Sequence, residues 1–274
     1  MQGKSTKTLN LKKGGIEKMS GLLQDKSILV IGGTKGVGRG ICESCAREGA
    51  KLVIGGRDEA AAVEIIDAVK GEAAYEPVFI KTDVTDLSGL ENVVKQTEEK
   101  NGRIDGFVYY SGILPSSYIC ETSEDLFDNV FDINVKGAFF ATQAVLNSMK
   151  KTGGGSIIYT GSAHAYGGEE DRGVYSVSKG ALLTLMKHVS KHFMKYKIRS
   201  NWITMGWVAT PGELALRASQ GHDLAWLEKE AAAATPVGRL LTVEDHVPGV
   251  LYLLSDASSV VTGTELQITG GFVT

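Results

Sequence analysis

Three cysteines in 274 residues are too few, and odd in number, for a disulfide framework. No run approaches the ~18 consecutive apolar residues that a membrane-crossing helix needs. There is no secretory apolar segment near the N-terminus and no Asn-x-Ser/Thr acceptor anywhere in the chain. A cytoplasmic location is therefore the default expectation, with no membrane or nucleic-acid partner. Metal-binding patterns are equally sparse. Cys42 and Cys45 have the right spacing, but no second pair supports zinc, and they read as small apolar helix residues. His188 and His192 also have ligand spacing, yet Val189 stands where a zinc protease needs glutamate, so no metal is expected.

Charge is unevenly spread. Residues 1–18 carry five lysines against one glutamate, which puts this tail at +4 and, from an overall −3, the remainder at −7. The tail lacks helical or strand periodicity, and residues 1–20 are expected to be a disordered basic extension. Five scattered lysines without aromatics make a thin case for a nucleic-acid or membrane arm. A further reading is that the tail is not native. Lys13-Gly14-Gly15 can be encoded by a ribosome-binding-like AAAGGAGGA a few codons before Met19, which would then be the start.

From Lys26 onward, short apolar runs alternate with helical stretches. Strands are expected at Ser27–Ile31, Lys51–Gly55, Val78–Thr82, Ile104–Tyr110, Ser156–Thr160, Arg199–Thr204 and Glu265–Thr269. Helices are expected at Arg39–Glu48, Asp58–Lys70, Leu87–Lys100, Ser123–Met149, Val174–Tyr196 and Val243–Leu254. Capping boxes at Thr122-Ser123-Glu124-Asp125 and Thr242-Val243-Glu244-Asp245 would start two of them. Such alternation predicts an α/β fold, Rossmann-type and doubly wound, with a seven-stranded, mostly parallel sheet and helices on both faces. With 43% hydrophobic residues and no interdomain linker, residues 21–274 read as a single domain.

Two local patterns carry chemistry. Gly32-Gly33-Thr34-Lys35-Gly36-Val37-Gly38 joins the first strand to the first helix, the context of a dinucleotide-binding turn: glycines admit the pyrophosphate and the helix N-terminus attracts its charge. Tyr175 and Lys179 stand four apart on a helix and share a face, with Ser162 thirteen residues upstream. A free tyrosine titrates near pH ~10. A cation about 5 Å away, at an effective dielectric of about 20, favours the phenolate by roughly 3 kcal/mol, or about two pK units. That would let Tyr175 exchange protons near neutrality.

With the spacing Gly32, Gly36, Gly38 and the set Ser162, Tyr175, Lys179, the chain resembles the short-chain dehydrogenase/reductase family from about Leu22 to Phe272. Asp83-Val84, Asn134 in Ile133-Asn134-Val135-Lys136-Gly137, Thr235-Pro236-Val237-Gly238-Arg239-Leu240, Val261-Thr262-Gly263 and Gly270-Gly271 support the likeness. The resemblance implies hydride transfer between a nicotinamide and a secondary alcohol or ketone, with Tyr175 as acid/base. Ser162 would bond the substrate oxygen and Lys179 the nicotinamide ribose, while Asn134 would hold a helical kink and a water reaching Lys179. Asp83 and Val84 would meet the adenine. Further cofactor contacts would fall on Thr34, Val37, Ser111, Gly112, Gly206 and Val208. The chain departs from the family's usual residues at Ile31, where threonine is usual. It departs also at Tyr109-Tyr110-Ser111-Gly112 for Asn-Asn-Ala-Gly, at Met205-Gly206 for Pro-Gly, and at Thr269-Gly270-Gly271 for Asp-Gly-Gly.

An acidic residue at the second strand's tip would favour NAD, but Gly56 occupies that place, and Lys35 and Arg57 can converge on a 2′-phosphate, so NADP is expected. The alternative is that Asp58 binds the ribose of NAD. His164 and Tyr166 follow Ser162 toward the site rim. Residues 207–234 correspond to the family's substrate lid and hold Trp207, Glu213, Arg217, His222 and Trp226. Aromatic surface beside hydrogen-bonding groups suits a sugar or polyol. A 3-oxoacyl thioester or a steroid is the alternative, and a cofactor-sensing scaffold the non-enzymatic one. The family's habit of pairing long helices also implies a homotetramer built on Ser123–Met149, Val174–Tyr196 and residues 243–269.

Overall fold

Ser27–Ile31 (β1) is buried at every position, as a strand covered on both faces must be. The computed structural model describes residues 21–272, so the basic tail and the suggested start at Met19 lie outside the described residues. After β1 come α1 (Gly36–Arg47), β2 (Lys51–Gly56), α2 (Glu59–Ala68), β3 (Val78–Lys81), α3 (Leu87–Asn101) and β4 (Gly106–Tyr109). The second half holds α4 (Glu124–Phe131), a π turn (Asp132–Lys136), α5 (Gly137–Thr152), β5 (Gly155–Ser162), α6 (Gly173–Phe193) and β6 (Ile198–Met205). It closes with α7 (Pro211–Ser219), α8 (Leu224–Ala234), α9 (Val243–Leu254) and β7 (Glu265–Ile268). The seven strands form one sheet in the order β3-β2-β1-β4-β5-β6-β7, and every pairing is parallel. The order reverses between β1 and β4, and ligands of such sheets bind at the carboxyl ends of the strands there.

Strand side chains alternate between two cores. Leu29, Ile31, Phe107, Tyr109, Tyr159 and Trp202 pack against α3, α5 and α6. Ile28, Val30, Val108, Ile158 and Ile203 pack against α1 and α9. Cys42 and Cys45 are buried in the second core as α1 packing residues, and burial pushes both thiols up, Cys45 to about 12.

Several boundaries differ from expectation for identifiable reasons. Helix α1 begins at Gly36 rather than Arg39, because its first turn is made of the glycine loop itself, whose residues are weak helix formers. The stretch expected as one helix from Ser123 is interrupted by the π turn. Its N-cap is Ser123, whose hydroxyl accepts from Leu126 N, while Thr122 Oγ1 donates back to Tyr118 O. The other box forms as expected, Thr242 N donating to Asp245 Oδ2 at 2.8 Å. Tyr109 and Ile31 are register partners in β4 and β1, and both face the first core. The Tyr109 hydroxyl finds its acceptor in the Ile133 carbonyl of the π turn, at 2.8 Å. An apolar residue at 31 therefore leaves no polar group unmatched.

Gly161, one residue before the end of β5, has no alternative. A Cβ there would stand 1.8 Å from Trp202 Cζ2 on the adjacent strand. Gly161→Ala should destabilise the protein by about 1–3 kcal/mol through overpacking, read as a lower urea midpoint. A midpoint equal to the parent's would show that Trp202 repacks freely.

Candidate functional site

Where β1 ends, the chain turns through Gly32 at φ +87° and Gly36 at φ +54°, left-handed conformations suited to glycine. A Cβ on Gly32 would lie 2.6 Å from Ser111 N, and one on Gly38 would lie 2.5 Å from Gly32 O. At Gly32 and Gly38 the turn thus presents bare backbone where a side chain would not fit. It opens onto the N-terminus of α1, whose cap residue Lys35 supplies no side-chain hydrogen bond to the first turn. Unsatisfied N–H groups at a helix start attract a phosphate, and the residues present therefore fit a dinucleotide. Beside the turn, Gly56 ends β2 with the Thr34 methyl 3.1 Å from where its Cβ would be. Arg57 is exposed. Lys35 does not converge with Arg57 but pairs with Asp58 at 2.8 Å, and Asp58 also caps α2 through Ala61 N. Asp83 accepts from Thr85 N and Oγ1, and these bonds, with Arg57 nearby, hold its carboxyl below the usual range.

The second centre rests on Asn134, fully buried in the π turn. Its Oδ1 accepts from Ile113 N at 2.8 Å, and its Nδ2 donates to Ile113 O and to Ser178 Oγ, each at 3.0 Å. It thereby ties the segment after β4 to α6. Ser117 holds the start of α6, its hydroxyl accepting from Val174 N and its carbonyl from Gly173 N. On that helix Tyr175 and Lys179 face Ser162 at the end of β5. Lys179 Nζ lies 5.6 Å from the Tyr175 ring centre and donates to Thr160 O at 3.2 Å.

Burial dominates both ionisable groups here. It pushes Tyr175 up to about 12, opposed by a Ser162 hydrogen bond and the Arg172 charge, and it pulls Lys179 down to about 8. The expected two-unit drop of the phenol beneath its lysine neighbour is thus not found in the protein alone, because desolvation disfavours phenolate and ammonium alike.

Residues 32–273 match the family model described as enoyl-(acyl carrier protein) reductase. The chain is 34% identical over 260 residues to the L-rhamnose 1-dehydrogenase (NAD(P)(+)) of Azotobacter vinelandii, spanning 91% of this chain and 97% of that protein. It is 29% identical over 252 residues to the cyclopentanol dehydrogenase of a Comamonas species, spanning 92% and 98%. The solved structure of levodione reductase matches with a TM-score of 0.86 at 29% identity, over 91% of this chain and 98% of that one. The chain belongs to the short-chain dehydrogenase/reductase family. Members are oxidoreductases that use NAD or NADP.

In this short-chain dehydrogenase/reductase, Ser162, Tyr175 and Lys179 line a cavity of about 530 Å³, and Gly112, Gly206 and Val208 line it too. Of the rim and lid residues named from sequence, His164, Trp207, Glu213 and Arg217 reach the cavity, and His222 does not. Nor do Tyr166 and Trp226. The tight turn bridged by Ala165 and Gly167 sends the Tyr166 hydroxyl to Glu265, which also pairs with Lys187. Trp226 stacks on His222 at 3.7 Å and packs in a separate small cluster with Leu227. Glu169, Asp171 and Arg172, in the loop before α6, and Leu216 on α7 also line the cavity, and sequence reading missed them. For the first three the signal was closeness in sequence to Tyr175, with loop conformation deciding which turn inward; Leu216 lies on α7, within the lid segment.

Three acid–base pairs result. His164 Nε2 bonds Glu169, and Arg172 bonds Asp171. Glu213 Oε1 accepts from both Trp207 Nε1 and Arg217 Nε at 2.7 Å, with the Arg217 guanidinium 5.5 Å from the Trp207 ring centre. Thr210, the N-cap of α7, packs its methyl 3.3 Å from the place of a Gly36 Cβ, so the helix over the cavity is rooted on the glycine turn.

Lys179 also makes a stability prediction. Its folded pKa, about 8, lies below the ordinary lysine value of 10.5, so between those values the unfolded chain binds more protons and stability rises with pH. In the cofactor-free protein, urea stability should climb from pH 8 toward pH 10, by up to about 1.4 kcal/mol per unit. Lys179→Met should flatten that climb. An unchanged pH profile in the variant would show that Lys179 is not the group responsible.

Proposed function

We propose that this enzyme interconverts a secondary alcohol and a ketone on a polyhydroxylated substrate of the sugar or polyol class, with NADP preferred to NAD. The observation that carries the reading is the juxtaposition of Ser162, Tyr175 and Lys179 with the acid–base pairs that line the same cavity. Carboxylate and guanidinium groups offer acceptors and donors to vicinal hydroxyls, whereas an apolar steroid or acyl chain would desolvate them without compensation. The resemblance to an L-rhamnose dehydrogenase supports the same class. The NADP preference rests on Gly56 at the strand tip, where an acidic residue would favour NAD, and on exposed Arg57 beside it, a cation a 2′-phosphate can meet. Asp58 is engaged by Lys35 and by its own helix.

In this reading, Gly32, Gly36 and Gly38 hold the pyrophosphate with the α1 N-terminus, and Asp83 and Val84 meet the adenine. The nicotinamide, when bound, supplies or accepts the hydride. Tyr175 gives a proton to the substrate oxygen or takes one from it. Ser162 orients that oxygen, and Lys179, held by Thr160 O, contributes positive charge beside the phenol. Asn134 fixes the distance between α6 and the segment after β4. Residues 207–234 act as the lid of a single domain, and the enzyme works in the cytoplasm.

The test is turnover with L-rhamnose and other aldoses, linear polyols, cyclopentanol and a 3-oxoacyl thioester, each with both cofactors. A sugar or polyol with NADP should give the highest kcat/KM, and Tyr175→Phe should lower it by about 10²–10⁴-fold. Preference for the thioester, the substrate type nearest the matched family model's description, would overturn the substrate class. Preference for NAD would overturn the cofactor assignment.

We further propose a homotetramer. Phe127 and Phe131 stack on α4 at 4.3 Å, and Phe127, Phe139 and Val177 are exposed along the α4–α6 surface, while Val260 is 85% exposed before β7. Light scattering at micromolar concentration should give a tetramer, and a monomer would overturn this.

A further inference from the structure

Tyr110 follows the last residue of β4, and its N–H donates to Ile31 O at 2.8 Å, which fixes the start of its side chain beside the end of β1. The side chain goes to the α1 face of the sheet and packs against the second core. A Cβ on Gly38 would lie 3.0 Å from Tyr110 Cδ1, so the ring rests directly against the glycine turn. Tyr110 also lines the cavity that holds Ser162, Tyr175 and Lys179. One aromatic side chain thus borders both the turn and the reaction centre. The tyrosines on the other face have partners, Tyr109 in Ile133 O and Tyr159 in Thr142 Oγ1. The Tyr110 hydroxyl has none among the described residues: burial and the neighbouring Tyr175 are what act on it. Both push its pKa up, so at neutral pH it is a proton-bearing donor.

We propose that the Tyr110 hydroxyl donates a hydrogen bond to the nicotinamide half of the dinucleotide, at an oxygen of that half's phosphate or ribose. The inference rests on the reading of the glycine turn as the pyrophosphate site. A phenol facing an open cavity can bond water. When a dinucleotide displaces that water, the phenol loses a hydrogen bond that no group of the protein replaces, and the acceptor must come from the ligand. Sheet order decides which half supplies it. The groups assigned to the adenine half, Gly56, Asp83 and Val84, stand at the ends of β2 and β3, whereas β4 lies on the opposite side of β1. Phosphate and ribose oxygens are acceptors, and a neutral phenol meets them without adding charge to a buried site. Tyr110 stands where the family usually has asparagine, so this donor lies outside the family's usual set.

The experiment is calorimetric titration of wild type and Tyr110→Phe with NADP, NAD, ADP-ribose, and 5′-AMP with and without a 2′-phosphate. The variant keeps the ring that packs on Gly38 and removes one oxygen that bonds nothing in the described protein, so its circular dichroism and urea midpoint should match the parent's. A lowered midpoint would mean that the hydroxyl is bonded within the protein, and would overturn the proposal. The Kd values for NADP, NAD and ADP-ribose should rise about tenfold. Those for the mononucleotides, which lack the nicotinamide-side phosphate and ribose, should keep the parent's values. Unchanged binding of all ligands would overturn the proposal, and so would tighter binding, which would make Tyr110 an obstruction. An equal loss for every ligand would point to a change in the turn itself, and a loss confined to NADP and NAD would move the acceptor to the nicotinamide ring; either result overturns the assignment. A parent that binds neither cofactor would overturn the reading of the glycine turn, and the inference with it. A parent that binds a cofactor yet turns over no sugar or polyol would overturn the substrate class alone, since binding is read here without turnover.

Discussion

The site depends on one buried amide. Asn134 uses its oxygen and both hydrogens to bind the two backbone groups of Ile113 and the hydroxyl of Ser178, so three pieces of chain meet at a single side chain. It can do so only because the helix widens into a π turn there and brings the residue inward. Widening frees the Ile133 carbonyl, and the Tyr109 hydroxyl takes it up. Without the amide, both groups of half-buried Ile113 would lose their partner, at about 0.5–1.5 kcal/mol each. The spacing of α6 from the sheet, and with it the place of Tyr175 and Lys179, follows from this knot.

Desolvation shapes the chemistry of that pair. Tyr175 and Lys179 are both buried, and the same dryness that drives the phenol toward neutrality lowers the charge on the ammonium. Sequence spacing alone counts charges and distances along a helix. It carries no information about the dielectric, and so it reads the sign of the phenol's shift from the lysine alone.

What was legible in the sequence was local or periodic. The turn from β1 into α1 announces itself because glycines follow an unbroken apolar strand, and α6 because Tyr175 and Lys179 share a face. The seven strands were found in order, with ends shifted by a residue or two. The kink at Asn134 was implied by the family resemblance, but its form as a π turn was not, since one inserted residue leaves the helical composition unchanged and its cause lies on β4 and α6. Side-chain direction in loops was equally hidden. Tyr166 and Trp226 have the aromatic character of a substrate wall and face elsewhere, while Glu169, Asp171 and Arg172 look like solvated charges and line the cavity. Pairing explains the difference. Lys35 and Asp58 are separated by the whole of β2 yet bond each other, and nothing in their neighbourhoods along the chain signals it.

Trp202 and Gly161 form a coupled pair across β5 and β6. A Cβ at 161 would stand 1.8 Å from Trp202 Cζ2, so a side chain there is admitted only if the indole moves. A small residue at 202 would instead open a void in the first core, where the indole is fully buried. Since Ser162 follows Gly161 directly and ends β5, the seating of one tryptophan bears on where the strand delivers its last hydroxyl to the cavity.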